Sequence, residues 1–226
     1  MTVIHQDLIK KWDETCYNHV RGLVRLVAEL LEANGFTKVD IVDVGANVGT
    51  FTDKLNDFVP VRKAMLIEPV EELMDFIKEK LGDGHIYVTS VASDEKKVVN
   101  FFVNDTEWNL GLSKVIPNVI EGQTREIETV TLTELLIKHD FNPDFIKIDA
   151  ENHDLEVLAG LYDWLWSETS RPIINFECAG SQQPEEIIKR FESLGYKTYF
   201  IGDKLNSVEY FFMMPHLIPH QELQEN

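Results

Sequence analysis

The sequence predicts an α/β fold: a mostly parallel seven-stranded sheet with helices on both faces and a C-terminal antiparallel hairpin. Three observations carry that expectation. Short β-branched runs alternate with helical runs along the chain, the pattern of the units that build a parallel sheet. The first such run ends in a glycine turn at Asp43-Val44-Gly45. The last two strand-like runs are joined only by residues 202–208. That is too short for a parallel crossover, so this pair is expected to be antiparallel.

Each element has its own signal. Residues 16–34 place Val20, Leu23, Val24, Leu26, Val27, Leu30 and Leu31 at helical spacing, and Asn34-Gly35 stops that helix. A buried strand over 39–44 follows, then a helix opening within 47–58. The second strand, 63–67, ends at Glu68-Pro69 and leads into a charged helix over 70–81. Further strands are expected at 86–91 and 98–103. Residues 104–125 show little periodicity and read as a loop covering the ligand side, with Trp108, Asn109, Leu110, Gly111 and Ser113 in it. The chain then alternates helix 132–139, strand 145–148 ending at Asp149, helix 154–166, strand 172–176 ending at Glu177 and helix 184–194. Strands 197–201 and 209–214 close the sheet, and the polar tail after Pro215 is expected to fray.

One domain over 1–226 is expected, with a helical extension at 1–34 and a core at 35–215. The apolar face of the extension fits either a cover over the sheet edge or ligand, or a homodimer contact. The chain is 44% hydrophobic, enough to fill one core. Its net charge of −18 repels phosphate backbones and anionic membranes, so no nucleic-acid partner is expected. No apolar run is long enough for membrane insertion. The charged start of the chain is unlike a signal peptide. Cys16 and Cys178 lie in no metal or redox motif and read as thiols in a reducing compartment, which makes the expected location cytoplasmic.

Ligands of such sheets bind at the carboxyl ends of the strands. Gly45 permits a tight turn and a close backbone approach there, and Gly49 lets the next helix start against a ligand. The turn as a whole, Gly45, Ala46, Asn47, Gly49, Thr50 and Phe51, offers helix-start amides to a carboxylate. Asp43 is placed to attract a cationic group, and Glu68 can accept both hydroxyls of a ribose. Ser90 and Val91 then flank the base. The G-x-x-x-G spacing is neither the dinucleotide fingerprint nor a phosphate loop. A plain glycine turn is the bland alternative.

Five pieces in this order resemble the FkbM family of S-adenosylmethionine (SAM)-dependent methyltransferases. They are residues 41–51 (Ile-Val-Asp-Val-Gly-Ala-Asn-Val-Gly-Thr-Phe), Ile67-Glu68-Pro69, Val91-Ala92-Ser93-Asp94, 130–136 (Val-Thr-Leu-Thr-Glu-Leu-Leu) and 145–160, which opens Phe-Ile-Lys-Ile-Asp-Ala-Glu-Asn-His-Asp. The resemblance implies the Rossmann-like class I methyltransferase fold, SAM as cofactor and methyl transfer to a hydroxyl oxygen. Sugars, glycan or glycolipid groups and polyketide-type compounds are among the family's acceptors. This chain carries Asn152 where the family usually has glycine and Asp154 where it more often has glutamate. Asn tolerates left-handed backbone angles, and Asp154 can cap the helix that it opens.

On the acceptor side, Asp149 is expected to face the methyl and the methionyl amine. His153 is the first candidate for a general base, because its ordinary pKa is near neutrality; the alternative is a packing role at the helix start. Glu151 either orients His153 or binds substrate hydroxyls, and Glu177 projects into the same crevice. Asp149 and Glu177 are placed like the divalent-metal ligands of catechol-type O-methyltransferases, so a Mg²⁺ could sit there. The expectation is instead a pair of acids that hydrogen-bond to cofactor or substrate. Two rivals stand beside this reading, a nucleotide-dependent oxidoreductase and a non-catalytic SAM-binding protein of the same fold. The glycine spacing and the closing hairpin oppose the first.

Overall fold

The computed structural model describes residues 4–106, 110–167, 170–179, 182–203 and 207–226. Its strands in chain order are β1 (Val39–Val44), β2 (Val61–Ile67), β3 (Ile86–Val88), β4 (Val91–Ala92), β5 (Val98–Phe102), β6 (Lys114–Ile116), β7 (Thr124–Val130), β8 (Phe145–Ile148), β9 (Ile173–Ala179), β10 (Lys197–Asp203), β11 (Ser207–Met213) and β12 (Gln224–Glu225). The helices are α1 (Gln6–Ala33), α2 (Thr50–Asn56), α3 (Glu71–Leu81), α4 (Leu132–Lys138), α5 (Asp154–Ser167) and α6 (Glu185–Ser193).

The main sheet runs β3-β2-β1-β8-β9-β11-β10-β12. Its strands β3, β2, β1, β8 and β9 are parallel, and β11 lies antiparallel between β9 and β10. The chain leaves β1 toward β2 on one side and returns to β8 on the other. The loops after β1 and β8 therefore diverge, and a crevice opens at the carboxyl ends of those strands. Both faces of the central strands are apolar. Val42, Val44, Ile146, Ile148 and Phe176 pack toward α4, α5 and α6. Ile41, Phe145, Ile173 and Phe211 pack toward α1, α2 and α3. Burial on both faces explains why these strands read as short, mostly apolar runs.

Three expectations need correction. Residues 104–125 are not an unstructured loop. Among them are a short 3₁₀ turn (Leu110–Leu112), β6 and the start of β7, and these strands join β4 and β5 in a second sheet of order β4-β7-β5-β6. Its strands have exposed charged positions, so their periodicity is weak in sequence. The expected strand 86–91 splits, because β3 leaves the main sheet at Val88 and β4 pairs with β7 instead. The tail is docked: Asn34 clasps the backbone of Ile218 through both side-chain atoms (2.7 and 2.9 Å), and β12 adds an eighth strand beside β10. Among the described residues, no helix is long and apolar enough to cross a membrane.

Candidate functional site

The crevice holds a cavity of about 190 Å³. Its floor is the turn after β1, where Gly45, Ala46, Asn47, Thr50 and Phe51 all line it. Gly45 has φ +70° and is mandatory for a reason the sequence did not give. A Cβ there would lie 1.9 Å from the carbonyl oxygen of Asp149. The close approach is thus between two backbones, just past β1 and just past β8. Gly49 (φ +71°) does not line the cavity; it forms the left-handed entry into α2 against Ile77.

Glu68 ends β2 in the cavity and is buried. Its two oxygens accept the backbone N–H groups of Asn47 and Val70, each at 2.9 Å. Burial pushes its pKa up to about 7 against those two bonds. Each oxygen keeps a further lone pair, which fits a ligand with adjacent hydroxyls. Ser90 and Val91 line the same end, with the Ser90 hydroxyl donated to the carbonyl of Glu128 at 2.8 Å.

Asp43 corrects the sequence reading. It is fully buried, lies outside the cavity lining, accepts from the Thr52 hydroxyl (2.8 Å) and pairs with Lys147 (3.2 Å). The cation that it attracts is the protein's own. Lys147 also pairs with Asp149 at 3.3 Å. Burial alone would lower the Lys147 pKa, but Asp43 and Asp149 outweigh it and hold the pKa above the ordinary lysine range. Among the described residues, no group of three or more His, Cys, Asp or Glu could hold a metal ion.

Past β8, Asp149, Ala150, Glu151 and His153 line the cavity, while Glu177 on β9 does not. Glu151 and Asn152 take left-handed angles, φ +50° and +74°, so the asparagine does keep the turn. Asp154 opens α5, and its carboxylate accepts the N–H of Ala150 at 3.2 Å and staples the turn. Burial first, then the charges of Asp149 and Glu177, push Glu151 up to about 7. Burial and Asp149 push Asp154 up to about 8.

His153 lines the cavity and also makes the packing contact named as its alternative role. Its Nε2 lies 2.9 Å from the Ser93 hydroxyl, which donates its proton to Asp94 (2.8 Å). That contact commits Nε2 to Ser93. The other ring nitrogen, Nδ1, faces Glu156 of α5 at 3.7 Å. Burial lowers the His153 pKa. The ring fastens α5 to the 93–94 segment, where Gly160 leaves no room for a Cβ (2.0 Å from the Ser93 carbonyl oxygen).

Two covering walls complete the cavity, one from the N-terminal helix and one from β5 and the segment after it; the secondary structure of the second and most of the lining residues of both were not expected from sequence. α1 lies over the glycine turn, with Trp12, Cys16, His19 and Val20 lining the cavity. The Trp12 indole donates to the Asn47 side chain (2.8 Å), and Asp13 takes the Thr50 hydroxyl (3.1 Å) and the Lys80 ammonium (2.7 Å). The second sheet supplies Phe101, Leu110, Gly111, Ser113 and Val115. Trp108 and Asn109, expected in this cover, lie outside the described residues.

The raised acids have a consequence for stability. Glu68, Glu151, Asp154 and Glu209 hold protons in the folded state (pKa about 7 to 8) that the unfolded chain releases near its ordinary 3.8 to 4.5. Their contribution is full below about pH 4, falls steadily as pH rises from there and is gone once pH has passed through about 7 to 8. His85 and His153, lowered by burial, act in the opposite sense only below about 6.5. The urea midpoint of the ligand-free protein is therefore expected to fall between about pH 6.5 and 8.5. A midpoint that rose over that window would contradict the burial of these carboxyls.

The sequence matches the family model for the methyltransferase FkbM domain over residues 43–198. No curated protein sequence matches the chain. Among solved structures, an FkbM methyltransferase from Methylobacillus flagellatus KT is similar with a TM-score of 0.54 at 15% identity, covering 90% of this chain and 52% of that one. The chain thus spans about half the length of that relative. A SAM-dependent methyltransferase from Aquifex aeolicus matches with TM-score 0.46 and 15% identity, over 94% of this chain and 100% of that one. Magnesium protoporphyrin IX methyltransferase from Synechocystis PCC 6803, solved with bound SAM, matches with TM-score 0.48 and 12% identity, over 93% and 86%.

Proposed function

The chain belongs to the FkbM family of SAM-dependent methyltransferases, and from that premise we propose that it methylates a hydroxyl oxygen of a small molecule. The carrying observation is Glu151. It lines the cavity two residues past Asp149, whose carbonyl lies against Gly45 of the cofactor loop, and its pKa is raised to about 7. Glu68 and the Gly45 to Phe51 turn would hold the cofactor's ribose and methionine ends, and Ser90 and Val91 its base. SAM supplies an activated methyl group on a sulfonium. The chain's task is to orient the acceptor oxygen in line with that methyl carbon. As the new C–O bond forms, the S–C bond breaks and its electron pair stays on sulfur. The hydroxyl proton passes to the Glu151 carboxylate, which at neutral pH is poised to take it.

Carbohydrates, glycans or glycolipids and polyketide-like compounds are the acceptor classes in play. One observation favours an acceptor with an apolar body. The polar atoms on the two covering walls are largely committed within the protein: Trp12 Nε1 to Asn47, and Ser113 Oγ to the Asn104 N–H (2.9 Å) and the Leu110 carbonyl (3.2 Å). A free sugar would bury hydroxyls against such walls at a cost of about 1–3 kcal/mol each. Neither a nucleic-acid partner nor a metal is part of this proposal. Incubating cell extract with the enzyme and methyl-labelled SAM should label a hydroxyl-bearing small molecule. Label found only on RNA or protein would reject the proposal, and SAM binding with no labelled product at all would favour a non-catalytic role.

A further inference from the structure

Lys147 is the buried charge that the proposed chemistry leaves unused. It sits mid-strand in β8, opposite Asp43 in β1 and Asn175 in β9, and is almost fully buried. Its ammonium has three protons and four acceptors around it: Asp43 Oδ1 at 3.2 Å, Asp149 Oδ2 at 3.3 Å, and the carbonyls of Gly45 and Val44 at 3.4 and 3.5 Å. It has no donor to spare for a ligand.

The acceptors fall into two groups. Asp43 lies on the core side and is closed off by Thr52. Asp149 and the Gly45 carbonyl lie at the cavity floor, where the chain just past β1 and just past β8 comes together without room for a Cβ. The Asp149 side chain remains 37% exposed. Among the described residues, nothing pairs with its other oxygen. We propose that Lys147 is a positioning residue: its ammonium, anchored on Asp43, holds Oδ2 of Asp149 against the sheet and so presents Oδ1 to the cofactor's ammonium. The inference rests on the SAM site described above.

A bland alternative is that Lys147 only neutralises buried Asp43. The two differ once Asp43 is made neutral. Breaking a buried pair from one side leaves an uncompensated charge, whereas replacing both partners removes that cost. In D43N/K147M the core therefore keeps no orphan charge, and what is lost is the link to Asp149 together with the two long contacts to the Gly45 and Val44 carbonyls; the comparison with D149N singles out the first. The probe is SAM itself, titrated calorimetrically against D43N, D43N/K147M, D43N/D149N and the triple variant, with folding checked by circular dichroism. Positioning predicts that K147M in the D43N background weakens SAM at least about tenfold, and that the loss overlaps with that of D149N instead of multiplying it. D43N/K147L repeats the measurement with a second side chain that cannot donate, in case the methionine variant misfolds.

Unchanged affinity in either lysine variant, or losses that multiply with that of D149N, would overturn the proposal. If D43N/D149N binds SAM as tightly as D43N, Lys147 has no cofactor contact to position and the proposal also falls. If wild-type protein does not bind SAM, it is the cofactor site that fails.

Discussion

Replacing Gly45 with alanine is expected to abolish measurable SAM binding and to destabilise the fold more than any other glycine substitution. Two costs coincide there. The residue has φ +70°, where an L side chain costs about 1–2 kcal/mol. Its new Cβ would lie 1.9 Å from the Asp149 carbonyl oxygen, and neither backbone can yield cheaply. Relieving such an overlap costs about 1–3 kcal/mol more. The movement separates the cofactor turn from the end of β8, and a 1 Å error in such a site costs about a hundredfold in rate. Two glycines separate the causes. Gly35 has φ +80° with nothing within 4 Å, so G35A carries strain alone. Gly160 lacks the positive φ, but its Cβ would lie 2.0 Å from the Ser93 carbonyl oxygen, so G160A carries the clash alone. Urea denaturation should show G45A losing more stability than either. A G45A variant as mild as G35A would mean that the two chain segments do not meet as described.

That contrast also shows where sequence reading stops. Gly45 was legible as a turn glycine, because glycine after a buried strand and before a helix has few other uses. The partner that makes it indispensable lies at Asp149, more than 100 residues away, and no local pattern records that approach. The parallel core was legible because strands buried on both faces are short, mostly apolar and β-branched runs, as in Val39–Val44 and Phe145–Ile148. The second sheet was not, because β7 reads Thr-Arg-Glu-Ile-Glu-Thr-Val, with one face polar. Lys147 could have been noticed. A lysine inside Phe-Ile-Lys-Ile is costly unless it is paired, and the available acids, Asp43 and Asp149, were both in view. Trp12 gave no such signal, since a tryptophan on an amphipathic helix packs into a core as readily as over a ligand.

The assignment of the base leads to the second large effect. Exchanging Glu151 for glutamine is expected to lower turnover by about 10² to 10⁴ while leaving SAM binding within about threefold, since the methionine and ribose contacts lie elsewhere. Wild-type turnover should fall as pH drops through about 7, the value to which burial and the neighbouring acids raise this carboxyl. The sign follows from the role: a base must be unprotonated, so a raised pKa moves the acid limb upward into the neutral range. E151Q should lose that limb. The competing assignment is His153, whose Nε2 is committed to Ser93 and whose Nδ1 faces Glu156. H153Q should weaken the α5 anchor yet keep the limb near pH 7. With the acceptor identified by labelling, pH–rate profiles of the two variants decide between them. A limb that persists in E151Q and vanishes in H153Q would return the proton to the histidine.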